Sequence, residues 1–229
     1  MGKYNVLLLD ADGTLFDYDK AERNALRDTL QLYGLEFSEK ALRQYRQFNG
    51  ELWKQLERGE ATLSAVQTKR FAQLFEAMQY KCDPGEFNSL YIKQLEQHVF
   101  LLDDADLVCA ELYKTSALYI VTNGIASVQR GRLARSGLLP YMNGLFISEE
   151  IGFSKPHRYF FDAVFAQIGA DVPRGKILIV GDSLSADIAG GYAAGIDTCW
   201  YNPKRNSDKG SLRPTYEIGA LIELLEIGG

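Results

Sequence analysis

Cysteine and histidine are scarce in this chain, and their scarcity argues against several kinds of site. The 229 residues include three widely spaced cysteines, with no C-x-x-C pair, and only two histidines. This composition argues against a disulfide framework and a cysteine-rich zinc site, and it excludes zinc ligation by histidines one helical turn apart. An odd number of widely spaced cysteines suits a reducing compartment, so we expect a cytoplasmic protein.

Long apolar runs and an excess of positive charge are also lacking. The longest apolar runs, such as Val6–Leu9 and Ile177–Val180, fall far short of the roughly 20 residues that span a bilayer. Lysine and arginine total 25 against 30 acidic residues, which gives a net charge of −5. Proteins that bind nucleic-acid polymers usually carry the opposite sign. We therefore expect neither a membrane nor a nucleic-acid polymer as a partner.

Apolar segments that end in acidic or glycine-containing turns recur along the chain, and we interpret them as strands buried on both faces. These predicted strands are Lys3–Asp10, Ala117–Asn123, Leu145–Ser148, Lys176–Asp182 and Asp197–Tyr201. Helical patterns lie between or after them, at Asp104–Lys114, Ala126–Ser136, Tyr159–Ile168, Ala186–Ala194 and Ala220–Ile227. The segment Lys204–Arg213 is predicted to be a surface loop. The alternation predicts an α/β fold, a doubly wound parallel sheet with a Rossmann-like core.

The stretch 17–98 breaks this alternation, because it has helical periodicity and no convincing strand. Its helical signals are a pattern that stops at Gly34, the stretches Ala41–Leu56 and Leu63–Met78, and a capping sequence at Asp83-Pro84-Gly85-Glu86. We predict a helical bundle inserted after the first strand, above the carboxyl edge of the sheet. The predicted domains are a core of residues 1–16 and 99–229 and an inserted bundle of residues 17–98.

The residues that carry chemistry stand at the ends of the predicted strands. Asp10 and Asp12 follow the first strand, Thr122 ends the second, and Asp182 follows the fourth. If these three strands are neighbours, the four side chains converge where an open α/β sheet binds its ligands. Three carboxylates repel one another unless a cation lies among them. Oxygen ligands without histidine or thiolate favour a hard cation, and Mg²⁺ is the natural choice.

A lysine and a threonine at the same edge indicate what the cation would help to bind. Lys155, between the third and fourth strands, would neutralise an anion, and Thr122 would donate its hydroxyl to it. The backbone N–H groups of the turn 10–13 could also donate to phosphate oxygens. A carboxylate that attacks phosphorus forms an aspartyl phosphate, and positioning and charge neutralisation would supply most of the catalysis.

Four motifs in this order resemble those of the haloacid dehalogenase superfamily, and the resemblance covers the whole chain. The motifs are Asp10-x-Asp12-Gly-Thr14, Thr122, Lys155-Pro156, and Gly181-Asp182 followed by Asp187. The helical insertion after the first motif resembles the α-helical cap of that superfamily. The resemblance therefore implies that residues 1–16 and 99–229 are a catalytic core and that residues 17–98 are a cap.

The resemblance implies the roles of the catalytic and metal-binding residues. Asp10 would be the nucleophile, and Asp12 would be the general acid and base. The Mg²⁺ ion would be held by the side chains of Asp10 and Asp182 and by the backbone carbonyl of Asp12.

Further roles at the site follow from the same resemblance. Thr122, Asn123 and Lys155 would bind the substrate, with Thr122 and Lys155 on its phosphoryl oxygens. Thr14 would support the first-motif loop, and Asp187 would orient Lys155 or a metal-bound water.

The residue at position 12 decides among the chemistries of the superfamily. Dehalogenases resembling this chain lack an acid there, since a halide needs no proton, and transport ATPases carry threonine. An aspartate at this position supplies the proton that an alcohol leaving group requires. The motif therefore predicts a phosphatase or a phosphomutase and argues against a dehalogenase.

The cap segment 49–60 resembles the pyrimidine 5′-nucleotidase branch of the superfamily. Trp53, Tyr45 or Phe48 could stack on a base, or these rings could form the core of the bundle. We predict a Mg²⁺-dependent phosphomonoester hydrolase that acts on a small phosphorylated metabolite, a pyrimidine nucleoside monophosphate, through an aspartyl phosphate. The alternatives are a sugar-phosphate phosphatase, a phosphomutase and a catalytically silent binding domain. No oligomeric state is predicted.

Overall fold

A parallel sheet forms the centre of the larger part of the chain. The structure, a computed structural model, describes residues 3–169, 171–207 and 210–228. The strands found in these ranges are β1 Val6–Leu9, β2 Ala117–Thr122, β3 Met142–Ile147, β4 Ile177–Gly181, β5 Asp197–Tyr201 and β6 Tyr216–Ile218. Their order in the sheet is β3-β2-β1-β4-β5-β6, and every neighbouring pair is parallel.

The helices fall into two groups. Those before residue 99 are α1 Tyr18–Leu32, α2 Glu39–Glu57, α3 Leu63–Met78 and α4 Pro84–Gln97. Those after it are α5 Ala105–Leu112, α6 Ala126–Arg135, α7 Ser148–Ile151, α8 Arg158–Ile168, α9 Ala189–Ala194 and α10 Leu224–Gly228. A π-helical turn, Leu184–Ile188, leads directly into α9, and a 3₁₀ turn, Leu221–Glu223, leads into α10.

Strand β1 lies between β2 and β4, as the convergence of the strand-end residues requires. Leu9, at the end of β1, is in register with Ile120 of β2 and Val180 of β4. Every residue of β1 and β4 is buried, because helices cover both faces of a parallel sheet. The strand order reverses at β1, which is the point where open α/β sheets bind ligands. The predicted α/β fold with a doubly wound parallel sheet is confirmed.

Some element boundaries differ from the prediction. Strand β3 begins at Met142, three residues before the predicted start, and β6 was not predicted at all. β6 has three residues, two of them partly exposed, so its apolar signal is too short to detect in the sequence. In the predicted loop Lys204–Arg213, the positions Asp208 and Lys209 lie outside the described residues.

The chain divides into two compact units, Met1–Tyr18 with Phe100–Gly229 and Asp19–Val99. The divisions fall one to two residues after the predicted boundaries 16/17 and 98/99. In the second unit, Asp83 caps α4 by accepting a hydrogen bond from the N–H of Glu86 (2.8 Å). Buried rings fill the centre of this unit: Tyr45, Phe71, Phe75, Phe87 and Tyr91. The roles of the two units as catalytic core and cap stay predictions.

No helix of the described ranges combines the length and the apolar character needed to cross a bilayer. The predicted cytoplasmic location stays a prediction.

Candidate active site

Three carboxylates meet at the carboxyl edge of the sheet. Asp10 directly follows β1, Asp182 directly follows β4, and Asp187 lies in the π-helical turn after β4. The N–H of Asp10 donates to the carbonyl of Val180 (2.9 Å), so the ladder between the two strands continues to this residue. Each of the three aspartates offers one carboxylate oxygen, and these oxygens lie within 4.8 Å of one another. The parallel register brings together acids that are distant in the sequence.

Two glycines leave space for the carboxylates of Asp182 and Asp187, because they have no side chain. Gly13 has φ +88°, and a Cβ there would lie 2.5 Å from Oδ2 of Asp182. A Cβ at Gly181 would lie 2.2 Å from the carboxylate of Asp187. Any side chain at either position would push an acid out of the cluster.

Lys155 lies buried against two of the three carboxylates. Its Nζ donates to Oδ1 of Asp10, to Oδ1 of Asp187 and to the carbonyl of Val121, each at 2.7 Å. Burial alone would lower the pKa of Lys155, but the charges of Asp10 and Asp187 outweigh it and raise the pKa. Lys155 is therefore an ammonium ion at neutral pH.

Asn123 contacts the backbone of Lys155 at both of its amide atoms. Its Nδ2 donates to the carbonyl of Lys155 (2.9 Å), and its Oδ1 accepts from the N–H of Lys155 (2.8 Å). The contact positions the lysine loop beside the end of β2. The substrate-binding role predicted for Asn123 stays a prediction.

Thr14, Thr122 and Asp187 make local contacts that shape the site. The hydroxyl of Thr14 donates to Oδ2 of Asp10 (3.2 Å), and Thr14 is fully buried. The hydroxyl oxygen of Thr122 accepts from the N–H of Gly124 (3.0 Å). Oδ2 of Asp187 accepts from the N–H of Ser183 (3.1 Å). Their predicted roles toward substrate stay predictions.

The carboxylate of Asp12 has different neighbours. Its Oδ2 accepts from Nε2 of Gln129 (2.6 Å), and its Oδ1 forms an ion pair with Nη1 of Arg132. Neither Gln129 nor Arg132 was predicted as a site residue. They stand three positions apart on α6, the helix that follows Thr122, and this spacing was the available sequence signal.

The electrostatics of the cluster favour a cation. Burial raises the pKa of Asp10 above its ordinary value; Lys155 opposes this effect, whereas Asp187 and Asp182 add to it. Desolvation of its carboxylate and the charge of Asp187 raise the pKa of Asp182 to about 7. Three carboxylates thus face a single ammonium group among the described residues. Oxygen donors with an excess of negative charge fit a hard divalent cation.

The aromatic candidates of the inserted bundle separate into two kinds. Tyr45 is fully buried and packs against Phe71 and Tyr91, so it belongs to the core of the bundle. Trp53 and Phe48 are only half-buried.

Comparisons with known proteins identify the family of this chain. Residues 4–195 match the family model described as haloacid dehalogenase-like hydrolase. Pyrimidine 5′-nucleotidase PynA of Streptococcus pneumoniae is 39% identical over 224 residues, which cover 97% of this chain and 94% of PynA. Pyrimidine 5′-nucleotidase YjjG of Escherichia coli K12 is 31% identical over 225 residues, 98% of each chain.

A solved structure gives the same result for the fold. The crystal structure of the HAD-hydrolase YfnB of Bacillus subtilis, bound to magnesium, superimposes with a TM-score of 0.93 at 38% identity and covers 98% of each chain. Since the family model spans most of the chain and the relatives match over nearly their full length, this protein is an enzyme of the haloacid dehalogenase-like hydrolase family.

Proposed function

We propose that this protein is a Mg²⁺-dependent phosphomonoester hydrolase that acts on pyrimidine nucleoside 5′-monophosphates. The observation that carries the proposal is the buried Lys155 ammonium, which contacts Asp10 within a cluster of three carboxylates at the edge of the sheet. This arrangement offers a nucleophile and positive charge for a phosphoryl group. Asp12 stands two residues beyond Asp10 and supplies the acid.

The first half of the reaction transfers the phosphoryl group to the protein. A carboxylate oxygen of Asp10 forms a bond to phosphorus as the bond between phosphorus and the ester oxygen breaks. Asp12 donates a proton to the departing oxygen, which leaves as an alcohol. The product on the protein is an acyl phosphate at Asp10.

The second half returns the protein to its starting state. The Asp12 carboxylate accepts a proton from a water molecule as the water oxygen bonds to phosphorus. The bond between phosphorus and Asp10 breaks, which releases phosphate and restores the carboxylate of Asp10. Asp12 is again an acid, so the cycle is balanced.

The remaining residues bind and neutralise the phosphoryl group. Lys155 and the hydroxyl of Thr122 bind its oxygens, and Asp187 holds Lys155 in place through the 2.7 Å contact. The Asp10 and Asp182 side chains and the Asp12 carbonyl would hold Mg²⁺, which when bound neutralises charge on the transferring group. The magnesium-bound YfnB structure supports the choice of metal.

The substrate class rests on the relatives and on the inserted unit. PynA and YjjG are both named pyrimidine 5′-nucleotidases. The segment 49–60 lies on α2 and its C-terminal turn, and its Trp53 is only half-buried and could stack on a base. We assign leaving-group selection to this unit.

A phosphate-release assay tests the proposal. The substrates are pyrimidine and purine nucleoside monophosphates and sugar monophosphates, each assayed with Mg²⁺ and with EDTA. We expect metal-dependent release that favours the pyrimidine nucleotides. Preference for sugar phosphates would refute the substrate class, and no release with any substrate would favour a phosphomutase or a silent binding domain.

Replacement of the nucleophile tests the mechanism separately. Asp10→Asn removes the attacking carboxylate, so turnover should fall by about three orders of magnitude or more while the protein stays folded. Asp162→Asn, an exposed position on α8, serves as the control and should keep wild-type turnover. Wild-type turnover by a folded Asp10→Asn protein would refute Asp10 as the nucleophile.

A further inference from the structure

Two buried side chains of α6 bind Asp12, one at each carboxylate oxygen. Nε2 of Gln129 donates to Oδ2 at 2.6 Å, and Nη1 of Arg132 pairs with Oδ1. Gln129 is 2% exposed and Arg132 0% exposed, whereas the Asp12 side chain is 25% exposed. The spacing of three residues puts both donors on the same face of the helix. Helix α6 therefore contacts both carboxylate oxygens of Asp12, whose side chain is partly accessible.

The buried surroundings of Arg132 favour its ion pair with Asp12. Its guanidinium carbon lies 4.6 Å from the centre of the Phe16 ring. Its Nε and Nη2 are buried and have no hydrogen-bond partner among the described residues. Burying a guanidinium group with two unsatisfied donors is costly, and breaking its ion pair would leave the charge uncompensated. Arg132 therefore has a strong preference for keeping Oδ1 of Asp12.

Close packing against Gly124 restricts the side chain of Gln129 near Asp12. A Cβ at Gly124 would lie 2.2 Å from Nε2 of Gln129, so only glycine leaves space for this amide. Gly124 lies in the turn after β2, two residues beyond Thr122, which ends that strand. An amide carries both a donor and an acceptor, so Gln129 is a suitable neighbour for Asp12 as a carboxylate and as a carboxylic acid.

We propose that Gln129 and Arg132 are positioning residues that orient Asp12 for proton transfer, an inference that rests on the proposed function. Arg132 anchors Oδ1, and rotation of the carboxylate would break both contacts at once. Oδ2 is then the oxygen that gives the proton to the leaving alcohol and later takes one from water.

The dependence on the leaving group tests this role. An alkoxide must be protonated as it departs, whereas nitrophenolate leaves without a proton. The variants Gln129→Met and Arg132→Met are compared with wild type on two substrates. One is the best nucleotide substrate, which is an alkyl phosphate, and the other is p-nitrophenyl phosphate. The quantity compared is kcat/KM, since it includes departure of the leaving group and excludes later hydrolysis of the acyl phosphate. We expect a loss of about tenfold or more on the nucleotide and a much smaller loss on p-nitrophenyl phosphate.

Control variants separate positioning from structural support. Arg130→Met, on the exposed side of α6, should leave both kcat/KM values unchanged. Arg132→Lys restores a positive charge and should recover part of the loss on the nucleotide. Thermal unfolding shows which variants are folded, and Gln129→Met carries the test if Arg132→Met is not.

The outcomes distinguish this inference from the proposed function. Equal losses on both substrates, or no loss on either, would overturn the positioning role while wild-type hydrolysis still supports the proposed function. If the wild-type protein hydrolyses no phosphomonoester, the proposed function fails and the inference fails with it.

Discussion

Gly13 occupies the point where the loop after β1 passes close to Asp182. Its φ of +88° lies in the left-handed region, and its missing side chain leaves room for the carboxylate 2.5 Å from the position of a Cβ. Backbone conformation and close approach thus impose the same residue for two independent reasons. At Gly181 only the close approach of a carboxylate, that of Asp187, requires a glycine.

Gly13→Ala should therefore do more than strain the backbone. A left-handed alanine costs about 1–2 kcal/mol of stability, and the displaced Asp182 should in addition weaken the response to Mg²⁺. Gly152→Ala is the matched control, because Gly152 has φ +85° and open space at its Cβ position. Urea unfolding and thermal unfolding with and without Mg²⁺ measure both effects. Equal Mg²⁺ responses in the two variants would contradict the role of Gly13.

At the scale of elements, polar contacts link the helices of the 19–99 unit. Glu22 of α1 is 3% exposed and accepts from Nε of Arg46 on α2 (2.7 Å). Arg70 of α3 is 1% exposed and donates to Oδ1 of Asn49 on α2 (3.3 Å) and to Oδ1 of Asn88 on α4 (2.7 Å). Ionised side chains in such a small bundle are costly unless their partners remain in place.

The burial of Glu22 predicts a pH-dependent stability. Desolvation raises its pKa from 4.5 to about 7; Arg46 and Arg70 oppose this rise, and Asp19 adds to it. Between pH 4.5 and pH 7 the folded protein keeps a proton that the unfolded chain has lost. The contribution of Glu22 to the free energy of unfolding should therefore fall by up to about 3 kcal/mol as the pH rises through this window, and stay constant above it.

Glu22→Gln removes the titrating group and should remove this part of the pH dependence. Urea unfolding at pH values on both sides of the window measures the change. Glu76→Gln, at an exposed position on α3, should keep the wild-type slope. A slope as steep in Glu22→Gln as in wild type would show that Glu22 is not responsible for it.

The elements themselves were predictable to different degrees. The strands β1, β2 and β4 give nearly continuous apolar runs, and the positions of these strands and of β5 follow from the sequence within a few residues. The edge strand β6 buries little, and its pairing with β5 depends on tertiary contacts. The π-helical turn Leu184–Ile188 has the composition of an ordinary helix, so its geometry was not predictable.

At the scale of the whole molecule, Mg²⁺ should stabilise the fold through the three-carboxylate cluster. A ligand that binds only the folded state at a hundred times its Kd adds about 2.7 kcal/mol of stability. Thermal unfolding should therefore shift upward with Mg²⁺ in wild type and in Asp162→Asn. In Asp182→Asn the shift should be lost, because one carboxylate of the cluster is removed. An unchanged shift in Asp182→Asn would place the bound ion elsewhere, and this readout does not depend on turnover.

The fold class and the acids at the strand ends could be predicted from the amino-acid sequence alone. Both depend on local sequence. A run of apolar residues predicts a buried strand, and the residue that follows the run must lie at the edge of the sheet. The partners of those acids were decided only by the tertiary structure. Asp12 pairs with Gln129 and Arg132, which are 117 and 120 positions away, because β1 lies beside β2 in a particular register. The hydrophobic periodicity of α6 predicts which face of the helix is buried, but it does not predict which distant side chain that face contacts.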